Sequence, residues 1–402
     1  MLIVKKFGGS SVANGARIFN VARRCIADYK RGHDVVVVLS AMGDTTDELL
    51  SLAKSINPDA SKREMDMLLT TGEQVSVSLM AMAIQALGVP AISLKAFQVK
   101  MSCTSRYSNA RFKRIDTERI TNELDARKIV IVTGFQGVNK HDDYATLGRG
   151  GSDTTAVALA AALHADKCEI YTDVDGVFTA DPRIVPEARK LNEITYDEML
   201  ELATSGAKVL HNRSVEMAKK YGVEMVVRSS LNDSEGTTVK EVVKMEKMLI
   251  TGVAADRNTA RISVLGVEDR PGIAFKIFHR LAKNQINVDI ILQSVGRDGS
   301  KDISFTVSQE DLQDALNVLE ENKEALTIKE ITSNVDVAKV AIVGAGMMSN
   351  PGVASQMFEA LSNYGININM ISTSEIRITV LIAEKDVDRA VRAIHEKFAL
   401  GE

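Results

Sequence analysis

The sequence contains few cysteines and histidines, and this excludes two ways of stabilising a fold. Its 402 residues include 3 cysteines and 6 histidines. Cys25, Cys103 and Cys168 are widely separated and odd in number, so they form neither a disulfide framework nor a CxxC metal clip. The scattered histidines make a structural zinc site improbable, and any metal is expected to arrive with a nucleotide. This usage fits a reducing cytoplasm.

The sequence also lacks a long apolar run and an excess of positive charge. Its longest run of Val, Ile and Leu, residues 35–39, is far short of the roughly 20 residues that a membrane span needs. The first ten residues have none of the features of a signal peptide. The net charge of −4 gives no general attraction to nucleic acid or anionic lipid. We therefore expect a cytoplasmic protein with neither of these partners.

What the sequence does contain is a regular alternation of strands and helices over about the first 230 residues. A length of 402 residues with 45% hydrophobic content predicts two or three domains with full cores. The strand candidates are rich in Val and Ile without polar alternation, as when both faces of a sheet are buried. They are 1–5, 34–40, 89–94, 128–134, 167–173 and 223–227. Helical spacing marks 18–29, 65–87 and 154–164. This order predicts a three-layer αβα domain with a mostly parallel sheet.

The pattern breaks at residues 229–247. A polar segment, 229–238, is followed by a charged stretch, 240–247, with helical character. We place the end of the first domain at residue 245.

An internal repeat follows this boundary. Pro271-Gly272 and Pro351-Gly352 begin segments that stay in register at an offset of 80 residues, with eight identities in the 21 positions 271–291. Two copies of one unit are therefore present. Each copy has the order βαββαβ of a ferredoxin-like domain. The predicted units are 260–336 and 337–402. The second lacks a fourth strand, and the spare strand 248–256 is predicted to complete its sheet.

The first candidate motif is Lys6-Phe7-Gly8-Gly9, where the first strand ends. Glycines let the backbone approach a phosphate, amides near a helix start favour anions, and a lysine supplies a positive charge. An ordinary turn with a solvated lysine is the alternative, since the spacing is not that of a Walker A loop.

The segment Gly148-Arg149-Gly150-Gly151-Ser152-Asp153 is more specific. Its glycines lead to Ser152, which we predict to be the N-cap of an Ala-rich helix whose N-terminus faces an anion. Arg149 is suited to hold a carboxylate. A third polar segment, Thr172 to Arg183, follows a strand at the edge where ligands bind in open α/β sheets. Simple Asp-Gly and Asp-Pro turns account for part of it.

Taken together, these motifs resemble the amino-acid kinase family, in the branch that phosphorylates L-aspartate and carries two ACT domains. The resemblance covers nearly the whole chain through KFGGSSV, SAMGDTTDEL, TTGE, GFQG, GRGGSDTTA, YTDVDGVFTADPR and SGAKVLH. It implies transfer of the ATP γ-phosphate to the β-carboxylate of L-aspartate, with Mg²⁺ bound to the nucleotide. That reaction is the first step towards lysine, threonine and methionine.

The resemblance also implies roles for individual residues. Lys6, Arg149 and Asp153 would be catalytic, with the role of Asp153 left open between organising Lys6 and organising the metal. Residues around the aspartate would be Ser40, Thr46, Glu73, Phe135, Arg149, Gly150, Gly151 and Ser152. Residues around the nucleotide would be Lys6, Phe7, Gly8, Gly9, Thr172, Asp173, Phe178, Arg183 and Lys208. Some family members have tyrosine where this chain has Phe178.

Regulation by lysine, threonine or both is the second implication, with the Pro-Gly loops binding the effector. The residues concerned are Asp269, Gly272, Ile273, Ala274, Gln293, Met348, Ser349, Gly352, Val353, Thr373, Ser374 and Glu375. The alternative is that both repeats only form an oligomer interface. An internal start at Met245 or Met248, giving a separate regulatory chain, stays open, as does the oligomeric state.

Two further alternatives are weighed. A sensor protein with a decayed kinase domain would have no reason to keep Lys6, Glu73 and Arg149 together with Asp153 and Asp173. A kinase for glutamate or acetylglutamate is disfavoured by the SAMGDTTDEL segment and by the paired ACT-like units.

Overall fold

The structure is a computed structural model that describes residues 1–207, 209–242, 249–295 and 299–402, with only the backbone at 348 and 349. The chain divides into two compact units. The first comprises Met1–Val177, Lys190–Ala203 and Lys208–Met245, and the second Phe178–Arg189, Thr204–Ala207 and Glu246–Glu402.

The strands and helices alternate through the first unit and recur as two shorter series in the second. The strands are β1 Leu2–Phe7, β2 Asp34–Leu39, β3 Ala91–Leu94, β4 Ser102–Cys103, β5 Phe112–Arg114, β6 Ile129–Thr133, β7 Gln136–Val138, β8 Tyr144–Thr146, β9 Lys167–Thr172, β10 Glu193–Thr195, β11 Met225–Ser229, β12 Thr237–Lys240, β13 Gly252–Asp256, β14 Ala260–Val267, β15 Ile291–Val295, β16 Lys301–Val307, β17 Glu330–Asn334, β18 Val337–Val343, β19 Met370–Thr373 and β20 Arg377–Ala383. The α-helices are α1 Gly15–Lys30, α2 Thr45–Ile56, α3 Lys62–Leu69, α4 Thr71–Ala86, α5 Glu118–Asp125, α6 Gly151–Ala162, α7 Tyr196–Thr204, α8 Asn212–Tyr221, α9 Ile273–Lys283, α10 Leu312–Glu321, α11 Val353–Asn363 and α12 Val387–Lys397.

An eight-stranded sheet forms the centre of the first unit, in the order β10-β12-β11-β9-β1-β2-β6-β3. The six strands from β11 to β3 are parallel to one another, and β12 is antiparallel to β11. Helices α1 and α4 pack on one face and α6 on the other, with α8 against α6. The predicted three-layer αβα fold with a mostly parallel sheet is confirmed. All six strand candidates are present.

The prediction of one continuous helix over 65–87 is wrong. It is two helices, α3 and α4, which meet at Thr70. The stretch Lys62–Ala86 is apolar enough by composition to cross a membrane, but 56% of its most apolar window is buried inside the protein. This burial is typical of a core helix.

The polar segment placed at the domain boundary is a loop of the first unit. Strand β12 pairs antiparallel with β11, so the chain returns to the main sheet after this loop. Lys240, predicted to begin a helix, ends that strand. Most of the rest of the predicted helix, 243–247, lies outside the described residues.

The second unit contains two four-stranded sheets with the same spatial arrangement of strands. In corresponding order they are β15-β16-β14-β17 and β19-β20-β18-β13, with antiparallel neighbours. Each sheet has two helices on one face, α9 and α10 or α11 and α12, as ferredoxin-like domains do. Strand β13 supplies the edge of the second sheet although it precedes the first sheet in the chain.

The segment Phe178–Arg189 belongs to the second unit. The Val253 amide donates to the Thr179 carbonyl at 2.7 Å, and Thr179 Oγ1 lies 3.0 Å from His395 Nε2. Ala180 and Val185 are buried in the same apolar core as α11 and α12. This excursion therefore completes the core of the second ferredoxin-like fold.

A buried ion cluster joins β1 to its neighbours in the first unit. Lys5 Nζ lies 2.5 Å from a carboxylate oxygen of both Asp28 on α1 and Glu169 on β9, and Lys5 and Glu169 are almost fully buried. Burial alone would lower the pKa of Lys5, but the charges of Tyr171 and Glu169 outweigh it and raise that pKa. Burial likewise opposes the ionisation of Glu169, yet Lys5 lowers its pKa to about 2. The cluster is therefore charged at neutral pH.

We predict that Lys5→Met lowers the free energy of unfolding by about 3 kcal/mol, because the buried Glu169 and the partly buried Asp28 lose the buried cation that joins them. Glu169 keeps the more exposed Lys167 and Arg228 as partners, at 3.1 and 3.4 Å. Denaturant unfolding followed by circular dichroism measures this. Lys240→Met is the matched control, since Lys240 pairs with Glu193 at a more exposed position of the same sheet. The control should lose at most about 1 kcal/mol. Equal losses in the two variants would contradict the assignment.

Candidate active site

The carboxyl ends of adjacent parallel strands meet at one edge of the main sheet. The Ser40 amide, just after β2, donates to the Phe7 carbonyl at 3.2 Å. The Gly134 amide, just after β6, donates to the Leu39 carbonyl at 3.0 Å. Polar loops at such an edge are where open α/β sheets bind ligands.

Lys6 is at this edge, on the face of the sheet that α6 covers. Its Nζ lies 2.6 Å from Asp153 Oδ1, and both side chains are about 12% exposed. The charges are in contact without the alignment of a hydrogen bond. Because neighbouring residues of a strand point to opposite faces, Lys5 is buried on the other face while Lys6 reaches the site. The role of Asp153, in organising Lys6 or the metal, stays a prediction, and its carboxylate is in contact with Lys6 here.

The loop after Lys6 passes very close to the loop after β2. A Cβ added to Gly9 would lie 2.8 Å from the Ala41 carbonyl oxygen and 2.9 Å from that of Gly43. The Gly43 amide also donates to the Gly9 carbonyl at 3.0 Å. Gly9 then begins a short 3₁₀ helix, Gly9–Val12. The second glycine of the motif is therefore required by close packing of two backbones.

The opposite side of the Lys6 loop is tied to the end of β9. Ser11 Oγ donates to Ser230 Oγ at 2.8 Å, and the Ser230 amide donates to the Thr172 carbonyl at 2.8 Å. Thr172 Oγ1 in turn donates to Asp173 at 3.0 Å. Thr172 and Asp173 are thus held beside the Lys6 loop, and their nucleotide role stays a prediction. Sequence reasoning missed Ser11 and Ser230, since serines in polar loops carry no signal of their own.

Helix α6 begins at this edge, but its N-cap is not the predicted one. The cap is Gly150, with φ 67°, and Ser152 lies inside the first turn, buried. The prediction of Ser152 as the cap is wrong because the left-handed turn at Gly150 starts the helix earlier. A Cβ at Gly150 would lie 2.2 Å from His211, so His211 fixes this turn by packing against it. Burial lowers the pKa of His211, so the imidazole is neutral at pH 7.

Arg149 is exposed on the same turn, directly before the first turn of α6. The first amides of a helix have no acceptor within the helix, and the helix dipole favours negative charge there. An arginine next to such amides forms a site for a carboxylate or phosphate.

Glu73 is buried in the first turn of α4. Its Oε1 accepts a hydrogen bond from the Ala41 amide at 3.1 Å, and its Oε2 is buried with no hydrogen-bond partner among the described residues. Burial raises its pKa to about 7. A buried carboxylate oxygen without a donor is costly, so this geometry favours a cationic ligand.

Phe135 has an unusual backbone conformation beside α6. Its φ is 69°, rare for a bulky residue. The Phe135 amide donates to Thr155 Oγ1 at 3.2 Å, and its carbonyl accepts from the Leu147 amide at 2.8 Å. Gly151 packs against the Phe135 ring. Such locally strained residues concentrate at functional sites.

The remaining predicted residues have the following positions. The Phe7 side chain is in the core, stacked on Tyr171 with ring centroids 4.4 Å apart. Phe178 and Arg183 belong to the second unit, where Arg183 pairs with Asp181 at 2.6 Å. Thr46 lies half-buried in the first turn of α2. Lys208 is outside the described residues.

The Pro-Gly loops of the second unit begin α9 and α11 as predicted. Gly272 and Gly352 are their N-caps, with φ 88° and 93°. Ile273 and Val353 are buried in the cores, and the Ile273 amide donates to the Arg270 carbonyl at 3.4 Å. Among the other predicted effector residues, Asp269 pairs with Lys301 at 2.6 Å, and the Ser374 amide donates to the Arg377 carbonyl at 2.8 Å. The side chains of Met348 and Ser349 lie outside the description.

In the described parts of the chain, no three His, Cys, Asp or Glu residues lie close enough together to hold a metal ion by themselves. Mg²⁺ typically keeps several waters and is held by substrate phosphates and one or two carboxylates. Asp153 beside Lys6 is a carboxylate of this kind.

Comparison with known proteins gives the class of the protein. Residues 1–229 match the amino acid kinase family, and residues 262–322 and 340–398 match the ACT domain. An aspartokinase of Bacillus sp. strain MGA3 is 53% identical, over 100% of this chain and 98% of its own. The structure of E. coli aspartokinase III with aspartate and ADP is 26% identical, with a TM-score of 0.86 and 99% of both chains covered. The structure of the same enzyme with lysine and aspartate is 27% identical, with a TM-score of 0.75 and again 99% of both chains covered.

The chain therefore belongs to the amino acid kinase family, and within that family to the aspartokinases. It is an ATP-dependent kinase with ACT domains.

We predict that Gly9→Ala abolishes most ATP-dependent turnover, because the added methyl would displace the Lys6 loop from the Ala41 and Gly43 carbonyls. Initial rates at saturating MgATP measure this. Gly15→Ala is the control, since a Cβ there has no heavy atom within 4 Å. Normal turnover of Gly9→Ala at an unchanged melting temperature would show that the close approach has no functional role.

Proposed function

We propose that the enzyme transfers the γ-phosphoryl group of ATP to the β-carboxylate of L-aspartate, giving 4-phospho-L-aspartate and ADP. The observation that carries this proposal is Glu73, a buried carboxylate with one oxygen held by Ala41 and the other lacking a donor. An amino-acid ammonium group supplies the missing donor and the missing positive charge. This reaction is the first step of lysine, threonine and methionine biosynthesis.

The other groups of aspartate are assigned to the neighbouring loops. Arg149 and the backbone of Gly150 and Ser152 bind the α-carboxylate, and Gly151, whose amide donates to the Gly148 carbonyl at 3.0 Å, lines the same turn. Ser40, Thr46 and Phe135 line the pocket between Glu73 and this helix. Aspartate is then held at both ends, and its β-carboxylate is left to face the phosphoryl donor.

The chemical step requires positioning and charge neutralisation more than proton transfer. The β-carboxylate is already a nucleophile at neutral pH, so no general base is needed. Lys6 neutralises charge on the transferring oxygens, and Asp153 keeps the Lys6 ammonium in place through their 2.6 Å contact. Mg²⁺ held by the phosphates and Asp153 would supply further charge neutralisation.

The nucleotide is assigned to the loops on the β9 side of Lys6. Gly8 and Gly9 approach the phosphates, with the Phe7 backbone beside them. Thr172 and Asp173 follow at the end of β9, and Phe178, Arg183 and Lys208 are proposed to complete the nucleotide site.

We further propose that lysine, threonine or both inhibit the enzyme by binding the Pro-Gly loops of the ACT domains. Gly272 and Gly352 turn the chain into α9 and α11. The Ile273 amide donates to the Arg270 carbonyl, so the later first-turn amides of α9, and those of α11, are the ones proposed to bind an amino-acid carboxylate. Asp269, Ala274, Gln293, Thr373, Ser374 and Glu375 are placed to read its other groups. The protein works as a cytoplasmic oligomer joined through its ACT domains.

Trapping of the acyl phosphate as a hydroxamate, with MgATP and L-aspartate, tests the proposal. Wild-type protein should form the hydroxamate, and lysine plus threonine should reduce its rate. Lys6→Met should lower the rate by at least about a hundredfold while leaving the fold intact, because one preorganised charge contributes that much. Near-normal turnover in this variant would rule out the assignment. Glutamate in place of aspartate tests the related-acid alternative.

We predict that kcat/KM for aspartate depends on pH through Glu73. Its pKa is raised to about 7 by burial, so below pH 7 the carboxyl is neutral in the free enzyme and attracts the ammonium weakly. kcat/KM should therefore rise by up to about tenfold per pH unit below pH 7 and level off above it.

Glu73→Gln is the control for this profile, because its amide stays neutral at every pH. It should show a low kcat/KM without the ascending limb near pH 7. A limb that persists in Glu73→Gln would assign the ionisation to another group.

A further inference from the structure

Asp66 is a fully buried carboxylate that the proposed chemistry does not use. It lies on α3 and is 0% exposed. Its Oδ2 accepts from the amides of Ser108 and Thr146, each at 2.8 Å. Its Oδ1 accepts from their hydroxyls, at 3.1 and 2.8 Å. Four hydrogen bonds satisfy the carboxylate completely, so it is a structural anchor and not a ligand site.

The anchor is one member of a closed ring of buried polar groups. Thr146 on β8 pairs with Gln136 on β7. Gln136 Nε2 donates to the Thr70 carbonyl at 3.2 Å, and the Thr70 amide donates to the Asp66 carbonyl at 3.1 Å. Asp66, Thr70, Gln136 and Thr146 are each at most 1% exposed. We call these four residues the buried ring.

Glu73 and Arg149, the two residues proposed to hold the ends of aspartate, are each attached to this ring by a short length of chain. We call them the Glu73 clamp and the Arg149 clamp. Thr70 joins α3 to α4, and Glu73 follows three residues later. Thr146 ends β8, and Arg149 also follows three residues later. Ser108 supports the same turn, since a Cβ at Gly148 would lie 2.9 Å from its carbonyl oxygen.

We propose that Asp66 is a positioning residue that sets the distance between the Glu73 clamp and the Arg149 clamp. This inference rests on the proposed function, because it takes both residues to hold aspartate. Without the carboxylate, α3 loses the four hydrogen bonds that join it to Ser108 and Thr146, the residues beside the turn at Gly148. The spacing of the two clamps then varies, while the Lys6 loop, which makes none of these contacts, stays in place. Aspartate binding should suffer and nucleotide binding should not.

The test is the separate measurement of KM for aspartate and KM for ATP in the full-length protein. Asp66→Ala should raise KM for aspartate at least about tenfold, as small misplacements of positioning groups do. KM for ATP should stay within about twofold of wild type, since the phosphate loop keeps its contacts. Asp66→Asn should restore KM for aspartate, because its amide oxygen accepts from both backbone amides and its NH₂ donates to both hydroxyls.

Asp143→Ala is the matched control. Asp143 also joins α3 to this region, accepting from Arg63 Nη2 at 2.6 Å and from the Tyr107 hydroxyl at 2.8 Å, but it is outside the ring. It should lower the melting temperature without changing KM for aspartate. If Asp66→Ala behaves in the same way, or if it raises both KM values together, the positioning role is overturned.

Variants that remove one hydroxyl each, Thr146→Val and Ser108→Ala, cover the case in which Asp66→Ala does not fold. Each should raise KM for aspartate and leave KM for ATP unchanged, and no change in either would overturn the inference. Wild-type protein that forms no hydroxamate from aspartate would overturn the proposed function itself. If the wild-type protein forms the hydroxamate but the variants at Asp66, Ser108 and Thr146 all keep the wild-type KM values, only the role of Asp66 is overturned.

Discussion

The first unit depends on two consecutive lysines that point to opposite faces of one central strand. Lys5 is buried between Asp28 and Glu169, and it joins β1 to α1 and β9. Lys6 reaches the other face and meets Asp153 at the start of α6. Because the Lys5 ion pairs hold β1 in place on one face, the backbone from which the Lys6 side chain extends on the other face is also fixed. A strand shifted by one residue would bury the wrong lysine, so register and site geometry are set together.

Much of this arrangement could be predicted from the sequence, because strong local patterns determine it. Unbroken Val and Ile runs identified the parallel strands, and the Pro-Gly repeat identified the paired ferredoxin-like folds. The motifs around Lys6 and Gly150 fell on the loops at the edge of the sheet. In these places composition, spacing and turn chemistry all favour the same structure.

What could not be predicted depends on contacts between residues distant in sequence. The apolar spacing of 65–87 continues through Thr70, where the helix breaks and where Gln136, distant in sequence, donates to the Thr70 carbonyl. Ser152 has the chemistry of an N-cap, but the close packing of Gly150 against His211 moved the helix start. Asp66 and Lys5 look like surface charges in the sequence, and their burial depends on partners up to 164 residues away. The roles of Phe178, Arg183 and Lys208 stay predictions.

The path of the chain into the second unit limits how that unit can be separated. Strand β13 precedes the first ferredoxin-like fold and closes the sheet of the second, so a cut between the two folds would leave the second sheet without an edge. A polypeptide begun at Met245 or Met248 would still contain every strand of both sheets. It would lack Ala180 and Val185, which in the full chain are buried in the same core as α12. Such a shortened product would have complete sheets, but it would expose the apolar core surface that these two side chains cover in the full chain.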